Sequence, residues 1–226
     1  MIQKTAILIF ANSAKREGEI KIFPKAAVLF DALNKQVIKK VEKTGLPHFV
    51  ISESQQTGAT FGERYTNAIE QVYAKGFDNV ITIGNDTPHL NSNQLLTAAK
   101  NLEENKIVLG PSKDGGYYLL GLNKSQFNKA KFLQLPWQTS GLTASLSRLL
   151  SVKKIEVLFL KTLQDIDTIS NVKKLLDGFK NFSAKILKIV ITIFSSEILK
   201  ISNILIFISA FQQENYFNKG SPYIIL

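Results

Sequence analysis

Apolar runs of four to six residues alternate along this chain with longer stretches of helical period, the pattern of βα units stacked into a largely parallel sheet. Ala6 to Phe10, Phe49 to Ser52, Val80 to Ile83, Ile107 to Gly110, Tyr117 to Leu122 and Ile155 to Leu160 predict strands. Between them Phe61, Tyr65, Ala68 and Val72 recur at helical spacing as far as a glycine stop at Gly76. Leu95, Ala98, Ala99 and Leu102 mark a second helix, with Asn91, Ser92 and Asn93 each able to cap it. The first run, followed by Ala11-Asn12-Ser13-Ala14, imitates a signal peptide. It is shorter than the ~7 to 15 apolar residues such a segment needs, so a buried first strand and a cytoplasmic protein are expected.

Acidic turns follow three of the runs. Gly84-Asn85-Asp86-Thr87-Pro88 succeeds Val80 to Ile83, Asp114-Gly115-Gly116 separates two apolar runs, and Asp165-Ile166-Asp167-Thr168 succeeds Ile155 to Leu160. In open α/β sheets ligands gather beyond the carboxyl ends of the strands, where loops and helix N-termini converge. The three turns therefore predict a metal and phosphate site at one sheet edge. Tyr117 and Tyr118 open the strand after Gly116; adjacent strand side chains point to opposite faces, so one at most is expected in the pocket.

Composition narrows the chemistry. The 226 residues are 45% hydrophobic, enough for one α/β domain plus an extension. The net charge of +10 would draw anionic ligands, but the lysines are dispersed and no arginine cluster with interleaved aromatics occurs, so nucleic acid is not an expected partner. With no cysteine, thiolate zinc sites and disulfides are excluded, and any metal must be held mainly by oxygen. Neither a nucleophile elbow nor a P-loop is present.

From about Gly178 Ile, Leu, Phe, Ser and Lys dominate and acidic turns disappear, which divides the chain into a domain over 1–177 and an apolar, helical extension over 178–226. Lys188, Glu197 and Lys200 interrupt the extension, leaving Ile201 to Gln213 as its longest uncharged run. That run is too short for a ~30 Å hydrocarbon core, which needs about 20 helical residues. Amphipathic helices packed on the domain, on a second copy, or peripherally at the inner membrane face are the expected alternatives.

Several ordered blocks together resemble a known family. They are Gln56-Thr57-Gly58 with Phe61-Gly62-Glu63-Arg64 and Asn67-Ala68, Gly84 to Leu90, Gly110 to Tyr118, Pro136-Trp137, and Asp165 to Thr168. The chain resembles, from about Thr5 to Leu176, the bacterial glycosyltransferase-like proteins of the nucleotide-diphospho-sugar transferase superfamily, the group linked with arsenosugar biosynthesis. The resemblance implies a Rossmann-like A-type glycosyltransferase fold with a mostly parallel sheet flanked by helices. It also implies a nucleotide sugar as donor, an unknown small or lipid acceptor, and Mg²⁺ or Mn²⁺ to neutralise the diphosphate leaving group.

On the same resemblance Asp86 and Asp167 are the expected metal ligands, and Asp114 with Asp86 the expected catalytic pair, Asp114 orienting the sugar or acting as acceptor base. Asn12, Lys15, Lys25, Arg64, Asn85, Gly115, Gly116 and Trp137 are the expected substrate contacts. Plain structural roles stand beside these. Asp86 could form an Asx turn or a helix cap, Asp167 could open the helix from Ile169 to Leu176, and Trp137 could wedge its loop against the core. Arg64 could form a surface ion pair. The family's lysine-, proline- and glycine-bearing loop after the first strand is replaced by Asn12 to Lys25, NSAKREGEIKIFPK, where Lys15, Arg16, Lys21 and Lys25 keep positive charge without the motif. A nucleotidyltransferase and a non-catalytic binding protein that kept the fold are the rival readings.

Overall fold

The computed structural model describes residues 3–151, 156–175 and 183–195. Its centre is a six-stranded mixed sheet of β1 (Thr5–Phe10), β2 (His48–Ile51), β3 (Asn79–Ile83), β4 (Ile107–Pro111), β5 (Tyr117–Asn123) and β6 (Val157–Phe159), in the order β2-β1-β3-β5-β4-β6. β2, β1 and β3 run parallel, as do β4 and β6, and β5 lies antiparallel between β3 and β4. The last expected strand, Ile155 to Leu160, is shorter: β6 covers Val157–Phe159, with Glu156 and Leu160 outside it, and Ile155 lies outside the described residues.

The continuous apolar runs follow from helices on both faces. Alternation sends Ile7, Ile9, Ile81 and Ile83 to one face, against Val37 and Val41 of α2 (Ala26–Glu42) and Leu95, Ala98 and Leu102 of α4 (Ser92–Glu103). Ala6, Leu8 and Val80 face the other way, onto Tyr65, Ala68, Ile69 and Val72 of α3 (Phe61–Ala74). Beside α3, Leu109, Leu120 and Leu122 pack on Phe132 of α5 (Lys129–Leu133) and Leu142 and Leu146 of α6 (Leu142–Ser151). Both long expected helices start on capping boxes. Thr60 and Glu63 bond reciprocally at α3, and Asn91 and Gln94 at α4, so Asn91 is the cap among the three candidates there.

The sequence pattern did not mark α1 (Ala14–Ile20), inside the segment read as a loop, α2 directly after it, or the short α5. A helix over 184–195, here α8, buries Ile186, Val190 and Ile193 against Phe23, Leu29, Phe30 and Leu33 near α2, and Val172 of α7 (Ile169–Leu175). Each such side chain contributes about 1.5–3 kcal/mol on burial. The run Ile201 to Gln213 lies outside the described residues, and among those described no helix is long and apolar enough to cross a membrane.

Connectivity places the acidic turns together. β1 is followed on one side by β2 and on the other by β3, so the chain reverses direction there and opens a crevice beyond their carboxyl ends. Because β5 is antiparallel, the β4–β5 hairpin carrying Asp114 turns at that same edge. After β6 the chain runs beside the end of β4, with Leu163 N–H donating to Pro111 O (3.1 Å) and Lys113 N–H to Leu163 O (3.0 Å). It then reaches the β3 turn, where Ile166 N–H donates to Asp86 O at 2.9 Å.

Candidate active site

Two adjoining cavities fill this crevice. The larger, about 670 Å³, lies over the ends of β1 and β3 and is lined by Asn12, Arg16, Glu17, Lys21, Arg64 and Asp86 as well as aromatic side chains. The second, about 540 Å³, is lined by Asp86, Asp114, Gly116, Asp165 and Asp167. Asp86, Phe61, Tyr117, Tyr118, Gln138 and Leu142 border both, so the two form halves of one cleft.

The acidic half is built from the three turns. Asp114, Asp165 and Asp167 can each place a carboxylate oxygen within 4.8 Å of the others. Asp114 is fixed from below, its Oδ1 accepting from Gly116 N–H (2.8 Å) and from the Ser112 hydroxyl. Asp165 is only 6% exposed, and burial first, then the charges of Asp114, Asp86 and Asp167, pushes its carboxyl up to about 7. Burial likewise raises Asp86, partly offset by the Lys21 ammonium and reinforced by Asp167. Four carboxylates meeting with so little compensation leave a deficit of positive charge that a hard cation held by oxygen would supply. The donor set fits Mg²⁺ or Mn²⁺ on that ground.

The tightest group differs from the pair expected from sequence. Asp167 belongs to it, Asp86 borders the same cavity outside the 4.8 Å triad, and Asp165 takes the third place. Neither aspartate caps a neighbouring helix. Thr168 performs that task for α7 by accepting from Asn171 N–H (3.3 Å), and Asn91 performs it for α4. Asp86 instead accepts from the Thr87 hydroxyl at 3.3 Å.

The other half depends on α1. Ser13 caps this helix by accepting from Arg16 N–H (3.2 Å), and its own N–H is held by Glu53 Oε2 (2.6 Å) in the loop after β2. Glu17 and Lys21, four residues apart, then share a face turned into the cleft. Glu17 is 4% exposed; its Oε1 accepts from Asn12 Nδ2 (3.0 Å) while Oε2 has no hydrogen-bond partner. Burial raises its carboxyl, against the pull of Lys21. The Lys21 ammonium pairs with Asp167; burial works to lower it, but Asp167, Asp86 and Glu17 outweigh burial and raise it. The expected contacts Lys15 and Lys25 stand outside this cleft. Lys15 projects from another side of α1, Lys25 sits exposed at the N-terminus of α2 in the left-handed region (φ 59°), and neither lines either of these two cavities. Arg16 and Lys21 supply the positive charge there instead.

The remaining expected contacts divide between structure and cleft. Arg64 lines the larger cavity, with Nη1 donating to Ala59 O (3.1 Å) rather than joining an ion pair. Asn85 is buried beside the cavity, but its amide donates to Asn34 Oδ1 (2.8 Å) and Asn12 O (3.3 Å), tying the β3 turn to the β1 turn. Gly115 is required by the chain itself rather than by a ligand. Its φ is +93°, and a Cβ there would lie 2.1 Å from Ser140 O. Gly116 does line the acidic cavity. Trp137 both wedges and lines: Nε1 donates to Phe132 O (2.8 Å), its ring lies 5.1 Å from that of Tyr65 and 5.5 Å from that of Phe61, and it borders the larger cavity. Tyr117 and Tyr118 both border the cleft, against the expectation of one, because they occupy the first two positions of β5 at its floor, where rings from either face reach the strand end.

Residues 25–139, just over half of the chain, match the family model described as an uncharacterized protein conserved in bacteria, DUF2064. The chain belongs to this family. Nothing among curated proteins matches this DUF2064 member. Among solved structures it is similar to a Desulfovibrio desulfuricans G20 protein provisionally named a nucleotide-diphospho-sugar transferase, with 22% identity over 86% of this chain and 98% of that one and a TM-score of 0.75. The shared fold is the Rossmann-like one of nucleotide-sugar transferases. More distant similarities include a cytidylyltransferase from Leptospira borgpetersenii, with 15% identity over 98% of this chain and 100% of that one and a TM-score of 0.49. Another is a manganese complex of Rv0371c from Mycobacterium tuberculosis H37Rv, with 14% identity over 77% and 98% and a TM-score of 0.43.

Proposed function

We propose that this DUF2064 protein is a metal-dependent glycosyltransferase that moves a sugar from a nucleoside diphosphate carrier to a small or lipid acceptor. The observation that carries the reading is the meeting of Asp86, Asp114, Asp165 and Asp167 in one cavity that adjoins a second, basic and aromatic one. Asp114, Asp165 and Asp167 would hold Mg²⁺ or Mn²⁺, which supplies neutralisation of the departing diphosphate. Lys21, Arg16 and Arg64 add fixed positive charge toward the phosphates. Trp137 and Phe61 offer flat apolar surface to a base or sugar ring, and Asn12, held by Glu17, stands at the end of β1. Asp86 lies outside the triad and its carboxyl is raised by burial, which suits it to take the proton of an acceptor hydroxyl.

The α1 face favours a second reading. Two cations, Arg16 and Lys21, line the cavity from one short helix, an arrangement suited to the longer phosphate chain of a nucleotidyltransferase substrate. Calorimetry with UDP-, GDP- and CDP-sugars and the matching triphosphates, with and without Mn²⁺, on native protein and Asp165→Asn separates the two. Diphosphate-sugar binding that needs the metal and is lost in the variant is the result expected. Tighter triphosphate binding would transfer the assignment to nucleotidyl transfer, and silence across the series would leave a non-catalytic protein.

A further inference from the structure

The rim of the larger cavity carries an apolar tip that nothing in the described protein covers. α1 ends at Ile20, which lines the cavity mouth and is 47% exposed, and Ile22 two residues later is 98% exposed. The local pattern explains their position. Lys21 turns inward to Asp167, and Phe23 returns to the core beside Ala26 and Phe30, so the isoleucines on either side of Lys21 are left facing out. Around them Lys15, Arg16 and Lys25 are exposed. Residues of α8 join Ala14 and Phe23 in one packed cluster, and this helix adds Lys185, Lys188 and a half-exposed Ile191 to the flank. Across residues 13–25 and 183–195 the sole exposed acid is Glu19, already paired with Arg16 at 3.0 Å.

Short apolar side chains standing in a cationic field match an anionic lipid surface, where the cations meet headgroup phosphates and the apolar tip enters the acyl boundary. A nucleic acid would satisfy the charges and leave Ile22 in water. We propose that this rim, with Ile20 and Ile22 at its tip, docks the protein on an anionic phospholipid bilayer and brings the cleft mouth to headgroup level. The docking does not depend on which transfer the cleft performs, because it is read from lipid binding alone.

The test is sedimentation of the full chain with phosphatidylcholine vesicles, with or without phosphatidylglycerol, for native protein and Ile22→Asp. Native protein should pellet only with the anionic vesicles and be released as salt is raised to about 0.5 M. Ile22→Asp, which alters a side chain in water and should leave the melting temperature unchanged, should bind about tenfold more weakly. Undiminished binding by Ile22→Asp, equal binding to neutral vesicles, or no binding by native protein would each overturn the proposal. So would a concentration-dependent dimer that Ile22→Asp abolishes without vesicle binding, since the tip would then join two copies.

Discussion

The two walls of the cleft are made in different ways. The acidic wall consists of turns fixed at both ends by strands of one sheet, and backbone hydrogen bonds run from β4 through Leu163 and Ile166 to Asp86. The basic wall is a short helix, α1, held to the sheet edge by side chains: Ser13 to Glu53, Asn12 to Glu17 and Lys21 to Asp167. Backbone-fixed geometry resists substitution at most side chains and fails at the few positions where the backbone itself is demanding. Side-chain-fixed geometry yields gradually. The acidic wall should therefore show a few large effects and the basic wall several moderate ones.

The largest effect is expected at Gly115→Ala. The new methyl would meet the Ser140 carbonyl at 2.1 Å on a backbone at φ +93°, and the hairpin that presents Asp114 cannot relax without moving the start of α6. A loss of about 3 kcal/mol or more is expected, read as a fall in melting temperature with or without ligand. A variant as stable as the native protein would show that this turn is not rigid, and the contrast between the walls would dissolve.

Asp165→Asn should split stability from binding. It removes one of four converging carboxylates, so metal affinity should fall about 100-fold by calorimetry with Mn²⁺. The metal-free variant should nevertheless melt higher than native protein at neutral pH, because the charges that repel Asp165 lose their partner. Equal metal affinity in the variant would exclude Asp165 as a ligand.

How far these residues were legible from sequence differs between the walls for the same reason. Strands and strand-end turns leave strong local patterns, so the sheet, the three acidic turns and the crevice at their edge follow from apolar runs and their punctuation. Asp165 was overlooked although its signal was present. In the alternation Asp-Ile-Asp, residues 165 and 167 project to one side while Ile166 points to the core, where it is fully buried. α1 was harder to see: its residues are mostly good helix formers, but seven of them, broken by a glycine at 18, are too few to show an apolar stripe, and its one apolar contact with the core, Ala14, is small. Only the spacing of Glu17 and Lys21 hinted that both face one way. Position along the chain made Lys15 and Lys25 look equivalent to Lys21, and direction around the helix separates them.

Lys21→Met tests the basic wall directly. It removes the ammonium paired with Asp167 and leaves Glu17 buried without its nearest opposite charge. Nucleotide-sugar binding should weaken about tenfold, with the melting temperature lowered by a few degrees at most. A collapse of folding would show that α1 is as firmly built as the opposite wall.

Lys40 braces the acidic wall from α2, donating from Nζ to Pro88 O at 2.6 Å beside the Asp86 turn. Burial lowers its ammonium to about 8, below the ordinary lysine value it regains on unfolding. Below pH 8 both states carry the proton and the fold bears the cost of a buried charge. Between about 8 and 10.5 the folded chain releases a proton that the unfolded chain keeps, so this group makes stability rise with pH across that window and contributes no further rise above it. Denaturant melts at stepped pH should show that rise in native protein and a flatter profile in Lys40→Met.

The smallest effect is expected at Lys15→Ala, and it discriminates between charge and placement. Lys15 and Lys21 carry the same ammonium within one seven-residue stretch, but only Lys21 faces the carboxylates. If net charge drew the nucleotide in, the two substitutions would weaken binding alike and both would lose their effect in high salt. If placement decides, Lys15→Ala should change stability by no more than about 0.5 kcal/mol and leave nucleotide-sugar affinity within about twofold at moderate salt. A tenfold loss at Lys15 would mean that the diffuse charge of the basic wall, rather than the cations that line the cavity, does the binding.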